Sequence, residues 1–196
     1  VCDKPDGKYE YLGYVKNRDG TPFNKYDCFD PAVINDGGVI RLYYGTSMPM
    51  GVCLPRFVRK IASTALGKTY GKSRAEITAE PGVWGANMVT LCDDMQTVES
   101  DAVRIIPEKA KGTSFENHAF FEGSSIRKIN GMYYFIYSSQ KNHELCYAVS
   151  KEPDRNFEYG GTIVSTGDVG FDGRKEKDRL NVTCLLYTSP SPRDRS

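Results

Sequence analysis

Apolar and polar positions are most clearly patterned between residues 120 and 139, FFEGSSIRKINGMYYFIYSS. Two apolar-rich runs, 124–129 and 132–139, flank Asn130-Gly131, a pair that suits the left-handed positions of a two-residue hairpin turn. The second run, Met-Tyr-Tyr-Phe-Ile-Tyr, carries aromatics at successive positions. A strand with one wet face would alternate, so this run predicts a strand covered on both sides. With further strands at 144–150 and 157–165, residues 122–165 read as a four-strand meander.

The same rhythm occurs earlier. Residues 30–45, DPAVINDGGVIRLYYG, open with an acid, pass a glycine turn and return along an aromatic-rich run. Strands at 86–91 and 102–106 complete a second meander. A smaller repeat links residues 2–15 with 149–164, each a Pro-Asp turn expected to feed a short strand. Residues 1–15 are thus expected to form the outer edge of a still earlier unit. Recurring four-stranded units point to repeats that stack on one another. The fold class this predicts is all-β, a partial β-propeller with about three blades' worth of sequence. Residues 46–85 break the rhythm. They are rich in Lys, Arg, Gly and Ser and read as a long loop insertion with a short helix at 57–66.

Composition narrows the function classes. The net charge is +1 with no basic stripe, which argues against nucleic acid or an anionic membrane as partner. No apolar run approaches the roughly 18 residues of a membrane-spanning helix. Six cysteines are scattered without a C-x-x-C pair, so neither a zinc site nor a disulfide framework is expected. Free thiols lean towards a reducing compartment. The chain begins at Val1, so its localisation is not read from this N-terminus. Residues 184–196, CLLYTSPSPRDRS, resemble the translation of a sequencing adapter and are expected to be a non-native tail. Residues 1–183 then form an incomplete propeller domain.

Chemistry enters with Glu122, which precedes Gly123 among Phe120, Phe121 and Ile126. Apolar neighbours strip water from a carboxylate and raise its pKa. If each blade's innermost strand lines a central channel, the acids opening two such strands, Asp30 and Glu122, face one space although 92 residues separate them. A charge on Asp30 would then raise Glu122 further.

At these residues the chain resembles glycoside hydrolase family 43, five-bladed propeller enzymes that cut arabinose- and xylose-containing plant polysaccharides. Phe29-Asp30-Pro31-Ala32-Val33, with Asp36-Gly37 and Leu42-Tyr43-Tyr44-Gly45, is similar to the blade motif carrying the family's pKa modulator. Phe121-Glu122-Gly123, with Ile129-Asn130-Gly131-Met132-Tyr133-Tyr134 and Tyr137-Ser138, is similar to the general-acid motif. Val89-Thr90-Leu91 with Asp94-Met95 fits the intervening segment. The resemblance implies an inverting glycosidase with Glu122 as general acid and Asp30 as its modulator. Such an enzyme needs a base about 6.5–9.5 Å from the acid. The resemblance places that base, an Asp, on a first blade not represented here, so the fragment is expected to be inactive alone.

The resemblance implies an axial histidine, often near a calcium ion, in the full-length family. Neither His118 nor His143 matches it, so no metal ligand and no cofactor are assigned in this chain. His118 and Phe29 are candidates for the sugar subsite, by hydrogen bonding and stacking, and read equally well as packed loop residues. Glu116 is an alternative acid in a more polar run. The expected partner is a plant cell-wall oligo- or polysaccharide. A non-catalytic carbohydrate-binding propeller and a protein-binding repeat scaffold are the rival readings.

Overall fold

The computed structural model describes residues 2, 4, 6–24, 28–47, 56–78, 84–107, 109–140, 143–165, 173, 175 and 177. The tail at 184–196 lies outside the described residues. Four strands, β1 (Ala32–Asp36), β2 (Val39–Tyr44), β3 (Ala86–Leu91) and β4 (Val103–Ile106), form the first sheet in sequence order. Four more, β5 (Phe120–Ile129), β6 (Met132–Ser139), β7 (Leu145–Ser150) and β8 (Glu158–Val164), form the second. Every pairing is antiparallel between sequence neighbours, so each sheet is a meander of the propeller-blade type.

Local chemistry sets the turns. Asn130 and Gly131 sit at φ 51° and 79° and close β5 onto β6 with Ile129 opposite Met132. Gly37 and Gly38, at φ 63° and 95°, do the same between β1 and β2. Positive φ at both central residues gives the turn a twist that matches paired strands.

The sheets pack face to face. Tyr43, Met88, Ile105 and Ile106 from the first meet Phe120, Ile126, Phe135 and Tyr137 from the second in one buried cluster. Phe135 is fully buried, with the rings of Phe120, Tyr43 and Tyr137 at 5.9, 6.0 and 6.1 Å. Polar ties cross the same interface. The Asp36 carboxylate receives Lys128 Nζ at 2.6 Å and the Tyr133 hydroxyl, with Arg41 Nε at 3.5 Å. The hydroxyl of Tyr43 donates to the Pro153 carbonyl at 2.7 Å.

The other face of the first sheet carries Ile40, Leu42, Tyr44, Val89 and Leu91, with Val15 and Phe23 packed against them. Residues 15–23 lie there by hydrogen-bonding the turn after β3. Lys16 N donates to the Gln96 carbonyl and Val98 N to the Lys16 carbonyl, both at 2.9 Å. That turn is set by Asp94, whose carboxyl the Thr97 hydroxyl and the Thr97 and Gln96 amides hold down at about 2. Two expectations change here. Residues 6–15 are not a strand, because only isolated bridges at Lys16 pair this segment. The two expected meanders are the two sheets that form among the described residues. Nor is β6 covered equally on both sides. Tyr133, Phe135 and Tyr137 are buried, whereas Tyr134 and Ile136 stay half-buried on the opposite face.

The insertion is more regular than the loop expected. It holds α1 (Arg56–Tyr70) and α2 (Arg74–Thr78). Helix α1 runs on to Gly71, whose φ of 63° supplies the left-handed stop, with Lys72 N bonded back to the Gly67 carbonyl. Ser73 and Glu76 exchange side-chain and backbone hydrogen bonds at the start of α2, a capping box. The ends of the insertion are anchored beside the sheet interface. Ser47 N donates to the Phe121 carbonyl and Gly85 N to the Thr46 carbonyl, each at 2.7 Å.

Candidate active site

Asp30 lies just ahead of β1 at φ 44°, a left-handed conformation that Asp tolerates better than most residues. Its neighbour Phe29 is held through the carbonyl, which accepts Gly45 N–H at 2.8 Å. The Asp30 carboxylate accepts the backbone N–H of Gly123 at 3.1 Å, from the other sheet. The structure thus places Asp30 against the residue next to Glu122.

Glu122 does not open its strand, as the sequence suggested. β5 starts two residues earlier at Phe120, and Glu122 sits between two register shifts opposite Ser138. Gly123, at φ 78°, provides the local twist. Bulges of this kind re-aim side chains beside functional sites. Burial pushes the Glu122 carboxyl above the ordinary carboxylate range, and the negative charge of Asp30 pushes it further. A carboxyl whose protonated form is favoured by burial and by a neighbouring carboxylate is suited to donate a proton. Ser138 Oγ, on the residue opposite Glu122, is buried without a hydrogen-bond partner among the described residues.

The other candidates are distributed differently. Phe29 is exposed next to Asp30, as an aromatic platform would be. His118 is engaged with the outer strands of the second sheet. Its ring stacks on Tyr159 of β8 at 4.2 Å, and Nδ1 lies 3.5 Å from Glu144. Glu116 accepts the Gly112 amide at 3.0 Å within its own turn. His143 meets Phe121 edge-on at 4.9 Å. The sequence offered no sign of the Gly123 amide as the link between the carboxylates, because a backbone donor has no residue signature. The grouping of His118 with Glu144 and Cys146 also went unread. Its one signal was the i, i+2 spacing of Glu144 and Cys146, which puts both on one face of an extended segment.

No protein-family model matches the chain. It is 40% identical over 185 residues to a xylosidase/arabinosidase of Thermoclostridium stercorarium, covering 91% of this chain and 33% of that protein. A xylosidase/arabinosidase of Bacteroides ovatus is 31% identical over 170 residues, covering 84% of this chain and 47% of that protein. The chain is a homologue of these xylosidase/arabinosidases. This homologue spans between about a third and a half of the length of those two relatives. Among solved structures, a family 43 β-xylosidase/α-arabinofuranosidase from a compost microbial metagenome, in complex with xylotriose, is 24% identical. It gives a TM-score of 0.49, with 74% of this chain and 43% of that one covered. In the homologue, the two motifs of the family resemblance are the segments that carry Asp30 and Glu122.

Proposed function

We propose that this chain is the acid-bearing part of a glycoside hydrolase acting on xylose- or arabinose-containing plant oligo- or polysaccharides. Glu122 is the general acid that protonates the leaving oxygen. Asp30 is a positioning residue that acts through Glu122, keeping it protonated by charge and fixing the bulge through the Gly123 amide. Phe29 offers a stacking face for a sugar ring. The observation that carries this reading is the Asp30–Gly123 hydrogen bond beside a carboxyl raised by burial and by that same Asp30. Inversion follows if the base works through a water molecule on the opposite sugar face. No residue of this chain is assigned as that base.

The test is a chimera in which this chain replaces the matching segment of the Thermoclostridium stercorarium relative. It is expected to hydrolyse aryl xylosides or arabinofuranosides. Glu122→Gln should lower kcat at least about a hundredfold for poor leaving groups and less for good ones, because only the former depend on protonation. Equal losses for both kinds of leaving group would remove Glu122 from the acid's role.

A further inference from the structure

Away from the Asp30–Glu122 pair, three unlike ligating groups converge. His118 comes from the turn ahead of β5, Glu144 stands immediately before β7, and Cys146 lies on β7. One ligating atom from each lies within 4.8 Å of the other two. The Glu144 side chain is only 10% exposed, and its ion-pair partner among the described residues is His118 Nδ1, at 3.5 Å. That nitrogen is itself buried and has no hydrogen-bond partner among the described residues. Buried polar atoms without good partners carry a desolvation cost that a ligand can remove. Cys146 is fully buried, and its sulfur has a 3.4 Å contact with the Thr162 hydroxyl. The imidazole plane is fixed by its stack on Tyr159.

We propose that His118, Glu144 and Cys146 form a binding site for a single zinc ion. One nitrogen, one carboxylate oxygen and one sulfur suit a borderline-soft ion that takes tetrahedral N, O and S ligands. The same set does not suit calcium or magnesium, which take oxygen ligands. Three protein ligands leave the fourth position to water. Zinc bonds of about 2.0–2.3 Å place tetrahedral ligands roughly 3.2–3.8 Å apart. The three groups must therefore draw together by about an ångström on binding. The ion would tie the turn before β5 to β7 and so brace the strand that carries Glu122. The site also reassigns His118, which the sequence suggested as a sugar ligand. The expectation of no zinc rested on the lack of C-x-x-C spacing, and this site needs none.

The test uses the full chain under reducing conditions with zinc alone, and with cobalt as a spectroscopic substitute. Expected are one zinc per chain, a higher Tm with the metal, and a cobalt thiolate charge-transfer band in the near ultraviolet. Glu144→Gln and Cys146→Ser, both close to isosteric, should each weaken zinc binding at least tenfold, and Cys146→Ser should abolish the band. Cys28→Ser, which removes an exposed thiol elsewhere, should change nothing. No band in the wild type, a band that survives Cys146→Ser, or one lost in Cys28→Ser would overturn the site and leave a simple His118–Glu144 ion pair. Should Cys146→Ser fail to fold, unchanged zinc affinity in Glu144→Gln overturns it alone.

Discussion

Asp30 raises the Glu122 carboxyl by charge and also accepts a hydrogen bond from Gly123. Asparagine keeps an acceptor oxygen there and removes the charge, so the two effects separate. Asp30→Asn is expected to move the Glu122 titration downward, towards the ordinary carboxylate range, without displacing the bulge. Carboxyl carbon shifts followed by NMR across the acid range would show this, and an unmoved titration would mean that burial alone sets it. The stability consequence has a definite sign. A carboxyl raised in the folded state favours folding fully below its unfolded pKa, and that contribution is lost as pH rises through the folded value. Asp36 is the opposite case. Lys128 first, then Tyr133, hold its carboxyl below the usual range, so its contribution is lost as pH falls through the lowered value.

Among the elements, the junction where β2 leaves the first sheet is the most constrained. Gly45 adopts φ +129°, and a Cβ there would stand 2.0 Å from the Gly85 carbonyl oxygen. That oxygen also accepts the Asn87 side-chain amide, whose own oxygen takes Arg104 Nε at 3.0 Å. Backbone against backbone has little room to yield. Gly45→Ala is therefore expected to cost more than about 2 kcal/mol, from overpacking and an unsuitable φ together. Because Gly45 N–H holds the Phe29 carbonyl, the same change should disturb the approach to Asp30. Chemical denaturation gives the first effect and amide shifts of residues 28–30 the second. A change confined to α1 and α2 would show that the junction does not support the site.

Across the whole molecule, the two sheets hold each other through the aromatic cluster around Phe135 and the polar tie at Asp36. Phe135→Ala removes a fully buried ring from the middle of that contact and is expected to cost about 3–5 kcal/mol. Tyr133→Phe keeps the ring and deletes the hydroxyl that donates to Asp36. It should cost about 1–2 kcal/mol, since Lys128 and Arg41 still face the carboxylate. Equilibrium unfolding read separately from each sheet would distinguish a shared core from two independent ones. If Phe135→Ala lowered the stability of the second sheet alone, the sheets would not fold as one unit.

Strand positions, both glycine-bearing hairpins and the order of the two meanders were legible in the sequence. Each depends on local backbone preference and a two-residue period, which neighbouring residues carry themselves. That Asp30 and Glu122 each lie near the start of a blade's first strand was legible for the same reason. Other features arise only when strands pair into sheets and the sheets stack. The Asp30–Gly123 hydrogen bond spans 93 residues and ends on a backbone amide, and no periodicity records such a contact. The two bulges that place Glu122 inside β5 come from the pairing register with β6. Likewise, His118 finds Glu144, Cys146 and Tyr159 because β7 and β8 lie across the second sheet from β5. Local chemistry determined which elements form, and strand pairing together with the packing of one sheet on the other decided which side chains meet.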